Sequence, residues 1–169
     1  MADAVTLTID TKPVTVPPGT LLIEAAKHVG IEVPSFCYYP GLTLQGACRL
    51  CLVAIEKMPK LQTACTTVVS NGMVVHTDTP DVVNGRKAML EFVLTNHPLD
   101  CPVCDKGGEC ELQDAVFRYG AAESRFLESK LHEEEKKFSG LVFYDRPRCI
   151  LCYRCIRVCD EGMDVNAYG

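Results

Sequence analysis

Eleven cysteines lie in three separate groups along this chain of 169 residues, and each group needs a scaffold that brings its thiols together. The members of the three groups are, in order, Cys37, Cys48, Cys51 and Cys65; Cys101, Cys104 and Cys110; and Cys149, Cys152, Cys155 and Cys159. The number of cysteines is odd. Their share of the chain falls below the roughly 8–10% that is typical of small secreted scaffolds held by disulfides. The cysteines therefore favour metal ligation over disulfide pairing.

The charge and hydropathy of the chain narrow the classes of partner that it can have. Its formal net charge is -5 and charged residues make up 23% of the sequence. No apolar stretch approaches the roughly 18 residues of a membrane-spanning helix, and MADAVTLTID at the N-terminus lacks the basic and apolar regions of a secretion signal. We therefore expect a soluble chain of one or two small domains that is kept in the cytoplasm, binds no nucleic acid and has no membrane span of its own.

The first part of the chain has the pattern of short strands around one helix. Apolar runs predict five strands, at 5–9, 14–16, 51–56, 61–65 and 73–77. The first two form a hairpin, and Asn71-Gly72 predicts a tight turn before the last. Apolar residues at helical spacing predict one amphipathic helix from Thr20 to Gly30. This order predicts an α+β fold of the β-grasp kind found in ferredoxins.

The second cysteine group lies between two predicted helices. Thr79-Pro80-Asp81 has the capping residue, the proline and the acid of a helix start, and the apolar period that follows continues to about Thr95 with Arg86 as its polar exception. Asn96-His97-Pro98 ends that helix. A second amphipathic helix is predicted at 111–120, with glycine at its end.

The residues after the second predicted helix divide into a charged segment and a segment with the third cysteine group. Residues 121–138 are dominated by charge, which is typical of a solvated helix or a linker. The predicted parts are a ferredoxin-type β-grasp domain at 1–78, a small helical domain at 79–120, a charged linker at 121–138 and a segment with the third cysteine group at 139–169.

The first cysteine group has the spacing C-x10-C-x2-C-x13-C. Plant-type [2Fe-2S] ferredoxins use C-x4-C-x2-C with a distant fourth cysteine, so the first gap is longer here. Gly41 and Gly46 lie in that gap and can take the backbone angles that turn amides toward cluster sulfurs. The preceding strands favour a [2Fe-2S] cluster, and a zinc ion held by four thiolates is the alternative.

The second group gains a histidine ahead of its three cysteines. The spacing H-x3-C-x2-C-x5-C is formed by His97, Cys101, Cys104 and Cys110. A lone histidine is usually a surface or core residue, but this one lies at a predicted helix end, where its imidazole can reach the same metal as the thiolates. A zinc knuckle with three thiolates and one imidazole is the competing interpretation, and the spacing alone does not decide between the two.

The third group, C-x2-C-x2-C-x3-C, matches the run that holds a [4Fe-4S] cluster in bacterial ferredoxins. Asp160 stands where a proline usually follows the fourth cysteine, and no second run is present. Because the fourth cysteine serves the other cluster in ferredoxins with two clusters, spacing alone does not assign Cys159 to this one.

All three motifs in this order, including DCPVCDKGGECELQD and RPRCILCYRCIRVCDE, resemble the N-terminal iron-sulfur region of the large iron-sulfur subunit, the G subunit, of bacterial NADH-quinone oxidoreductase, the respiratory complex I. The resemblance implies three sets of ligands: Cys37, Cys48, Cys51 and Cys65 for a [2Fe-2S] cluster; His97, Cys101, Cys104 and Cys110 for a [4Fe-4S] cluster; and Cys149, Cys152 and Cys155 for three corners of a second [4Fe-4S] cluster. In that family the fourth ligand of the last cluster is a cysteine farther along. Either Cys159 closes the third cluster here or that cluster is incomplete. The same resemblance implies that the chain is a fragment or a truncated product, since the large iron-sulfur subunit continues into a further large domain.

The resemblance also implies a function. The chain is expected to be the electron-transfer part of an enzyme subunit without a complete active site of its own. Its partners are then a flavin-containing subunit that oxidises NADH and other iron-sulfur subunits of the same complex. Its place is peripheral, at the cytoplasmic face of the inner membrane. Four arginines beside thiolates either offset cluster charge or are solvated: Arg49, Arg148, Arg154 and Arg157.

Two other functions remain open at this point. The same motifs occur in electron-relay segments of iron-only hydrogenases, NAD-linked hydrogenases and some formate dehydrogenases. An interaction module stabilised by zinc and without a redox role is the alternative of a different class. The colour of the purified protein separates these classes, because zinc thiolates are colourless.

Overall fold

The computed structural model describes residues 4–120 and 123–167, which have a mixed α+β fold. The strands in these residues are β1 (Val5–Ile9), β2 (Lys12–Val16), β3 (Leu52–Ile55), β4 (Gln62–Thr63), β5 (Val74–His76), β6 (Lys136–Lys137) and β7 (Phe143–Tyr144). The α-helices are α1 (Leu22–His28), α2 (Pro80–Leu94), α3 (Glu111–Tyr119) and α4 (Arg154–Arg157). Short 3-10 turns lie at Cys101–Val103 and Arg146–Arg148, and a π-helical turn lies at Val158–Gly162.

The first five strands form one sheet in the order β2-β1-β5-β3-β4. β1 and β2 are the predicted antiparallel hairpin, in which Leu7 lies opposite Val14. β5 runs parallel to β1, with Ile9 opposite Val75, and antiparallel to β3. The neighbouring strands β1 and β5 are thus contributed by opposite ends of this part of the chain.

The predicted turn at Asn71-Gly72 is present, and Gly72 has a φ of +73° there. The residues before it do not pair with β5, because both edges of β5 are already occupied by β1 and β3. Val68 instead bridges to Leu21. Asn71 accepts a hydrogen bond from the Thr6 amide at 2.9 Å, so the turn is fixed to the start of β1.

Helix α1 supplies one side of the first apolar core. Leu22, Ala25 and Ala26 are at most 1% exposed, as their helical spacing predicts. They pack with the inward residues of the sheet in one cluster that also includes the thiols of Cys51 and Cys65. The first cysteine group is therefore attached to the best-buried part of the protein.

A second apolar core joins α2 and α3 to the first cysteine loop. Phe36 and Leu50, which belong to that loop, pack in one cluster with Leu90 of α2 and Leu112 and Ala115 of α3. The two helices contact each other, and α2 also contacts β3. The first and second cysteine groups are thus held against one another by shared apolar side chains.

The bounds of α2 agree with the local signals in the sequence. The hydroxyl of Thr79 accepts a hydrogen bond from the Val82 amide at 3.3 Å, and Pro80 is the first helical residue. The helix ends at Leu94, just before Asn96-His97-Pro98. Arg86, the polar exception in the predicted apolar period, is 3% exposed.

The charged segment predicted at 121–138 differs from a free linker. Residues 121 and 122 lie outside the described residues, and 123–135 form neither helix nor strand. Arg125 forms an ion pair with Glu91 at 2.6 Å, and Lys130 donates to the carbonyls of Leu94 and Thr95. These contacts supply cationic partners to α2 and to its terminal carbonyls. The segment continues into the hairpin of β6 and β7, so residue 138, the predicted end of the segment, lies within that hairpin.

Within residues 4–120 and 123–167, no helix combines the length and the apolar character that crossing a membrane requires.

The cap of α2 gives a test of this fold. We expect Thr79→Ala to lower the free energy of unfolding by about 1 kcal/mol, because it removes the acceptor for the Val82 amide. Denaturant titration of the full chain, followed by its helical circular dichroism, measures the change. Ser129→Ala, at an exposed position, is the control and is expected to have no measurable effect. Equal stability of the two variants would contradict the capping role.

Candidate metal centres

The first cysteine group is assembled by the sheet and by the loop that precedes β3. Cys51 directly precedes β3, Cys65 follows β4, and Cys37 and Cys48 lie on the loop between α1 and β3. Cys37, Cys51 and Cys65 are at most 1% exposed, and Cys48 is half-buried. The structure therefore brings together all four residues that the sequence predicted for this site.

Thiol–thiol hydrogen bonds connect Cys37 to Cys48 and to Cys65, and connect Cys65 also to Cys51. Hydrogen bonding to Cys48 lowers the pKa of Cys37, and hydrogen bonding to Cys65 lowers the pKa of Cys51. The same contacts, together with burial, raise the pKa values of Cys48 and Cys65. Ionisation of one thiol thus opposes ionisation of its neighbour, so a cationic centre is needed to stabilise all four as thiolates.

Backbone amides of the first loop point at its sulfurs. The Phe36 amide donates to Cys48 Sγ at 3.4 Å, and the backbone amides of Cys48 and Ala47 add to the thiol contacts that lower the pKa of Cys37. Gly41 and Gly46 have φ values of +91° and +60°, the left-handed conformations that the sequence predicted at these glycines. The loop is therefore arranged to stabilise negative charge on sulfur.

The second group surrounds a cavity of about 150 Å³ beyond the C-terminal end of α2. His97 and the three cysteines of this group all line it: Cys101, Cys104 and Cys110. The Nδ1 atom of His97 is buried and has no hydrogen-bond partner among the described residues. Burial, followed by the positive charges of Arg148 and Lys130, lowers the pKa of His97. A neutral imidazole with a free buried nitrogen is a fitting metal ligand.

A glycine shapes the loop of the second group. A β-carbon built on Gly107 would lie 2.7 Å from the carbonyl oxygen of Cys101 and 3.1 Å from that of Cys104. The Gly107 amide also donates to the Cys104 carbonyl at 2.9 Å. A side chain at this position would therefore displace the backbone that carries two of the cysteines. Cys110 is the residue that precedes α3, so its sulfur lies near the positive end of that helix.

The third group is more open than the other two. Cys149 and Cys155 are exposed, Cys152 is half-buried against the second apolar core, and Cys159 is buried in the π-helical turn. Leu151 and Tyr153, on either side of Cys152, have φ values of +54° and +59°. The Leu151 amide donates to Cys149 Sγ at 3.4 Å. Alternating backbone conformations of this kind form concave surfaces of amides that bind anions.

Two of the four arginines named from the sequence form ion pairs with acids next to cysteines of the second group. Arg148 donates to both carboxylate oxygens of Asp100, at 3.0 and 2.8 Å, and these bonds raise the pKa of Arg148. Arg154 likewise contacts both carboxylate oxygens of Glu111. Asp100 precedes Cys101 and Glu111 follows Cys110, so the third segment is docked at both ends of the second loop.

The other two arginines differ from each other in burial. Arg49 is exposed, which agrees with the solvated alternative, whereas Arg157 is 6% exposed.

Sequence reasoning missed Asp100, Glu111 and Gly107 as residues of the site. Asp100 and Glu111 each adjoin a cysteine and oppose an arginine of the third motif in charge, and that complementarity was the available signal.

Among the described residues, no three His, Cys, Asp or Glu side chains converge on the position of one metal ion.

Two family models match the sequence. A 2Fe-2S iron-sulfur cluster binding domain matches residues 2–80, and the NADH-ubiquinone oxidoreductase-G iron-sulfur binding region matches residues 86–125. The matches confirm the [2Fe-2S] cofactor and one [4Fe-4S] cofactor that the sequence predicted. The third cysteine group lies beyond both matched ranges.

Curated relatives cover nearly the whole chain. The second G subunit of NADH-quinone oxidoreductase from Rhizobium meliloti (strain 1021) is 47% identical over 165 residues, which are 96% of this chain and 19% of that protein. The G subunit from Rickettsia bellii (strain RML369-C) is 47% identical over 163 residues, which are 96% of this chain and 24% of that protein. The chain thus spans about a fifth to a quarter of the length of these relatives.

A solved structure is similar across most of the fold. A chain from an NAD+-reducing [NiFe]-hydrogenase in the H2-reduced state superposes with a TM-score of 0.83 at 28% identity, covering 92% of this chain and 65% of that chain. The curated relatives are closer in sequence, and the second family model carries the same subunit name. This chain therefore belongs to the family of the iron-sulfur region of the NADH-quinone oxidoreductase G subunit.

Proposed function

We propose that the chain is an electron relay, which receives electrons from a flavin subunit that oxidises NADH and passes them toward quinone. The observation that carries this proposal is the docking of three cysteine groups onto one another. The first two share an apolar core, and the third is joined to the second by two arginine–carboxylate pairs. Adjacent redox centres are what a relay requires, and the clusters supply one-electron chemistry when they are bound.

For the first site we propose a [2Fe-2S] cluster held by Cys37, Cys48, Cys51 and Cys65. The pairing of the thiols supports this assignment, because Cys48 bonds to Cys37 and Cys65 bonds to Cys51, so that each pair can serve one of two irons. The match of residues 2–80 to a 2Fe-2S iron-sulfur cluster binding domain favours this cofactor over a zinc ion held by the same four thiolates. The strand order and the helix on the sheet support a β-grasp domain at 1–78.

For the second site we propose a [4Fe-4S] cluster held by His97, Cys101, Cys104 and Cys110, within a domain at 79–120. The buried, unpartnered Nδ1 of His97 supports this assignment, since a buried polar nitrogen without a partner is costly unless it binds something. The glycine at position 107 also supports this assignment, because it lets the backbone fold back on the carbonyls of two of the proposed ligands.

For the third site, in the segment 139–169, we propose Cys149, Cys152 and Cys155 as ligands of a second [4Fe-4S] cluster. The left-handed residues beside Cys152 support this assignment, because they turn amides toward the sulfurs. Cys159 differs from the other three in its burial and in its place in the π-helical turn. Its role as the fourth ligand is decided by the iron content below.

We further propose that the chain works inside a multisubunit complex, with a flavin-containing subunit on one side and other iron-sulfur subunits on the other. The complex would be peripheral to the cytoplasmic face of the inner membrane. The names of the curated relatives support this context. The hydrogenase chain supports a second candidate, the same relay in an NAD-linked hydrogenase, because it shares the fold over 92% of this chain.

The metal content tests the class of function. We expect about ten iron atoms per chain after anaerobic reconstitution, from one [2Fe-2S] and two [4Fe-4S] clusters, and a brown protein with little zinc. Metal analysis and a visible spectrum give both quantities. About six irons would mean that the third site is empty and that Cys159 does not close it. More zinc than iron in a colourless protein would contradict the relay.

The histidine ligand is tested by substitution. We expect His97→Ala to remove about four irons and one [4Fe-4S] EPR signal and to keep the [2Fe-2S] signal, because the two sites use different ligands. His97→Cys should keep the iron but lower the potential of that cluster, since a thiolate is more negative than an imidazole. His132→Ala, at an exposed position in the charged segment, is the matched control. Unchanged signals in His97→Ala would remove His97 from the site.

The electron donor is tested with the reconstituted chain. We expect NADH alone to leave the clusters oxidised, and a catalytic amount of the complex I flavin subunit to allow NADH to bleach the visible absorbance. The physical reason is that hydride chemistry needs a flavin to pass single electrons on. Rapid bleaching by NADH alone would contradict the proposal. Bleaching only with a hydrogenase flavin subunit would favour the second candidate.

A further inference from the structure

Arg157 lies between the first and third cysteine groups and is nearly inaccessible to solvent, at 6% exposure. Its side chain donates to the carbonyl oxygens of Cys37 and Thr43, the latter at 2.5 Å. It also contacts the carbonyls of Cys152 and Tyr153, at 3.5 and 3.3 Å. In the described part of the chain, all of its side-chain hydrogen bonds go to neutral carbonyl groups. This guanidinium is therefore a buried cation without a carboxylate partner there.

Glu161 contacts the same loop from four residues farther along, on the same face of the helical turn. One oxygen of its carboxylate accepts from the Thr43 amide at 2.7 Å, and the other accepts from the Thr43 hydroxyl. Arg157 binds the carbonyl of this same threonine. Both backbone polar groups of Thr43 are thus held by side chains of the third segment.

These contacts connect the two cysteine groups through a few bonds. Arg157 lies between Cys155 and Cys159 in the chain and touches the backbone carbonyls of Cys37 and Cys152, which belong to different groups. Since a planar guanidinium has its donors in a fixed fork, it fixes the distance between the carbonyls that it binds. A lysine at this position would keep the charge but not that geometry.

A buried cation without a carboxylate is costly unless negative charge lies near it. The exposed carboxylate of Glu161 lies near enough to interact with the charge of Arg157. Cys37 is fully buried and its carbonyl accepts a hydrogen bond from Arg157, so an ionised Cys37 sulfur is the buried negative charge that this cation can stabilise. A cluster held by four thiolates becomes more negative when it accepts an electron. A fixed positive charge beside it stabilises the reduced form more than the oxidised form.

We propose that Arg157 and Glu161 form a clamp on Thr43 that positions the first cysteine loop against the third cysteine group, with Arg157 raising the reduction potential of the [2Fe-2S] cluster. The effect of Arg157 on the reduction potential rests on the proposed function, because it requires a cluster at the first site. The positioning of the first cysteine loop does not rest on it.

The experiment compares four variants of the full reconstituted chain. Arg157→Met removes the charge and the fork, Arg157→Lys keeps the charge, and Glu161→Ala removes the acceptor for the Thr43 amide. Arg146→Met is the matched control, because Arg146 lies in the same segment, is exposed and pairs with Glu133. Hydrogen exchange of the Thr43 amide reports the clamp, and an EPR redox titration of the [2Fe-2S] signal reports the charge.

We expect Glu161→Ala to speed exchange of the Thr43 amide about fivefold, the effect of losing one hydrogen bond of typical net strength at an exposed position. Arg157→Met should lower the equilibrium constant for [2Fe-2S] reduction about tenfold, which is 59 mV for a one-electron couple. Arg157→Lys should retain most of the potential and still speed exchange at Thr43. Arg146→Met should change neither quantity.

The outcomes separate this proposal from the proposed function. Unchanged Thr43 exchange in Glu161→Ala would overturn the clamp, and equal potentials in Arg157→Met and Arg146→Met would overturn the charge effect. If Arg157→Met fails to fold, Arg157→Lys and Glu161→Ala still decide the clamp through the exchange of Thr43. A wild-type chain with slow Thr43 exchange but no [2Fe-2S] signal would support the clamp and overturn the relay.

Discussion

Opposite charge between the third cysteine segment and the second cysteine loop is the interaction on which the position of the third group against the second depends. Arg148 and Arg154 each bind a carboxylate that adjoins a cysteine, through both of its oxygens. Among the apolar side chains of the segment, Ile150 and Cys152 pack against the second apolar core, whereas Leu151 stays exposed. A guanidinium fork that meets a carboxylate through two bonds fixes orientation as well as distance, which a single apolar contact does not.

A second buried arginine lies at the junction of the first and second groups. Arg86 of α2 donates to the Leu52 carbonyl at 2.9 Å, and its guanidinium lies 5.2 Å from the centre of the Tyr119 ring. Its Nε has no hydrogen-bond partner in the described residues, and burial lowers the pKa of Arg86. Leu52 follows Cys51, so this cation also lies beside a ligand of the first site. The first cysteine group thus meets the second group at one buried guanidinium, Arg86, and the third group at another, Arg157. Both bind backbone carbonyls in or next to the first group.

The local part of this fold could be predicted from the sequence, and the non-local part could not. The Thr79-Pro80 start of α2 and the periodic residues of α1 depend on neighbours in the chain, and both are confirmed. The pairing of β5 with β1 depends on which sheet edge is free, and the turn at Asn71-Gly72, although correctly predicted, does not reveal that partner. The burial of Arg157 had no sequence signal, because its partners are backbone carbonyls, which every residue carries. The cysteines that we propose as ligands could be named from the sequence because sulfur chemistry restricts their spacing.

The parallel pairing of β1 with β5 encloses all four cysteines of the first group in one loop of the chain, between residues 9 and 74. Closing so long a loop costs chain entropy, and the cost grows slowly with length. Thiolates that bind a common centre shorten the effective loop before the strands meet. Insertion of the metal and closure of the sheet are therefore thermodynamically linked: each lowers the entropic cost of the other, and loss of either one loosens the N-terminal half of the chain.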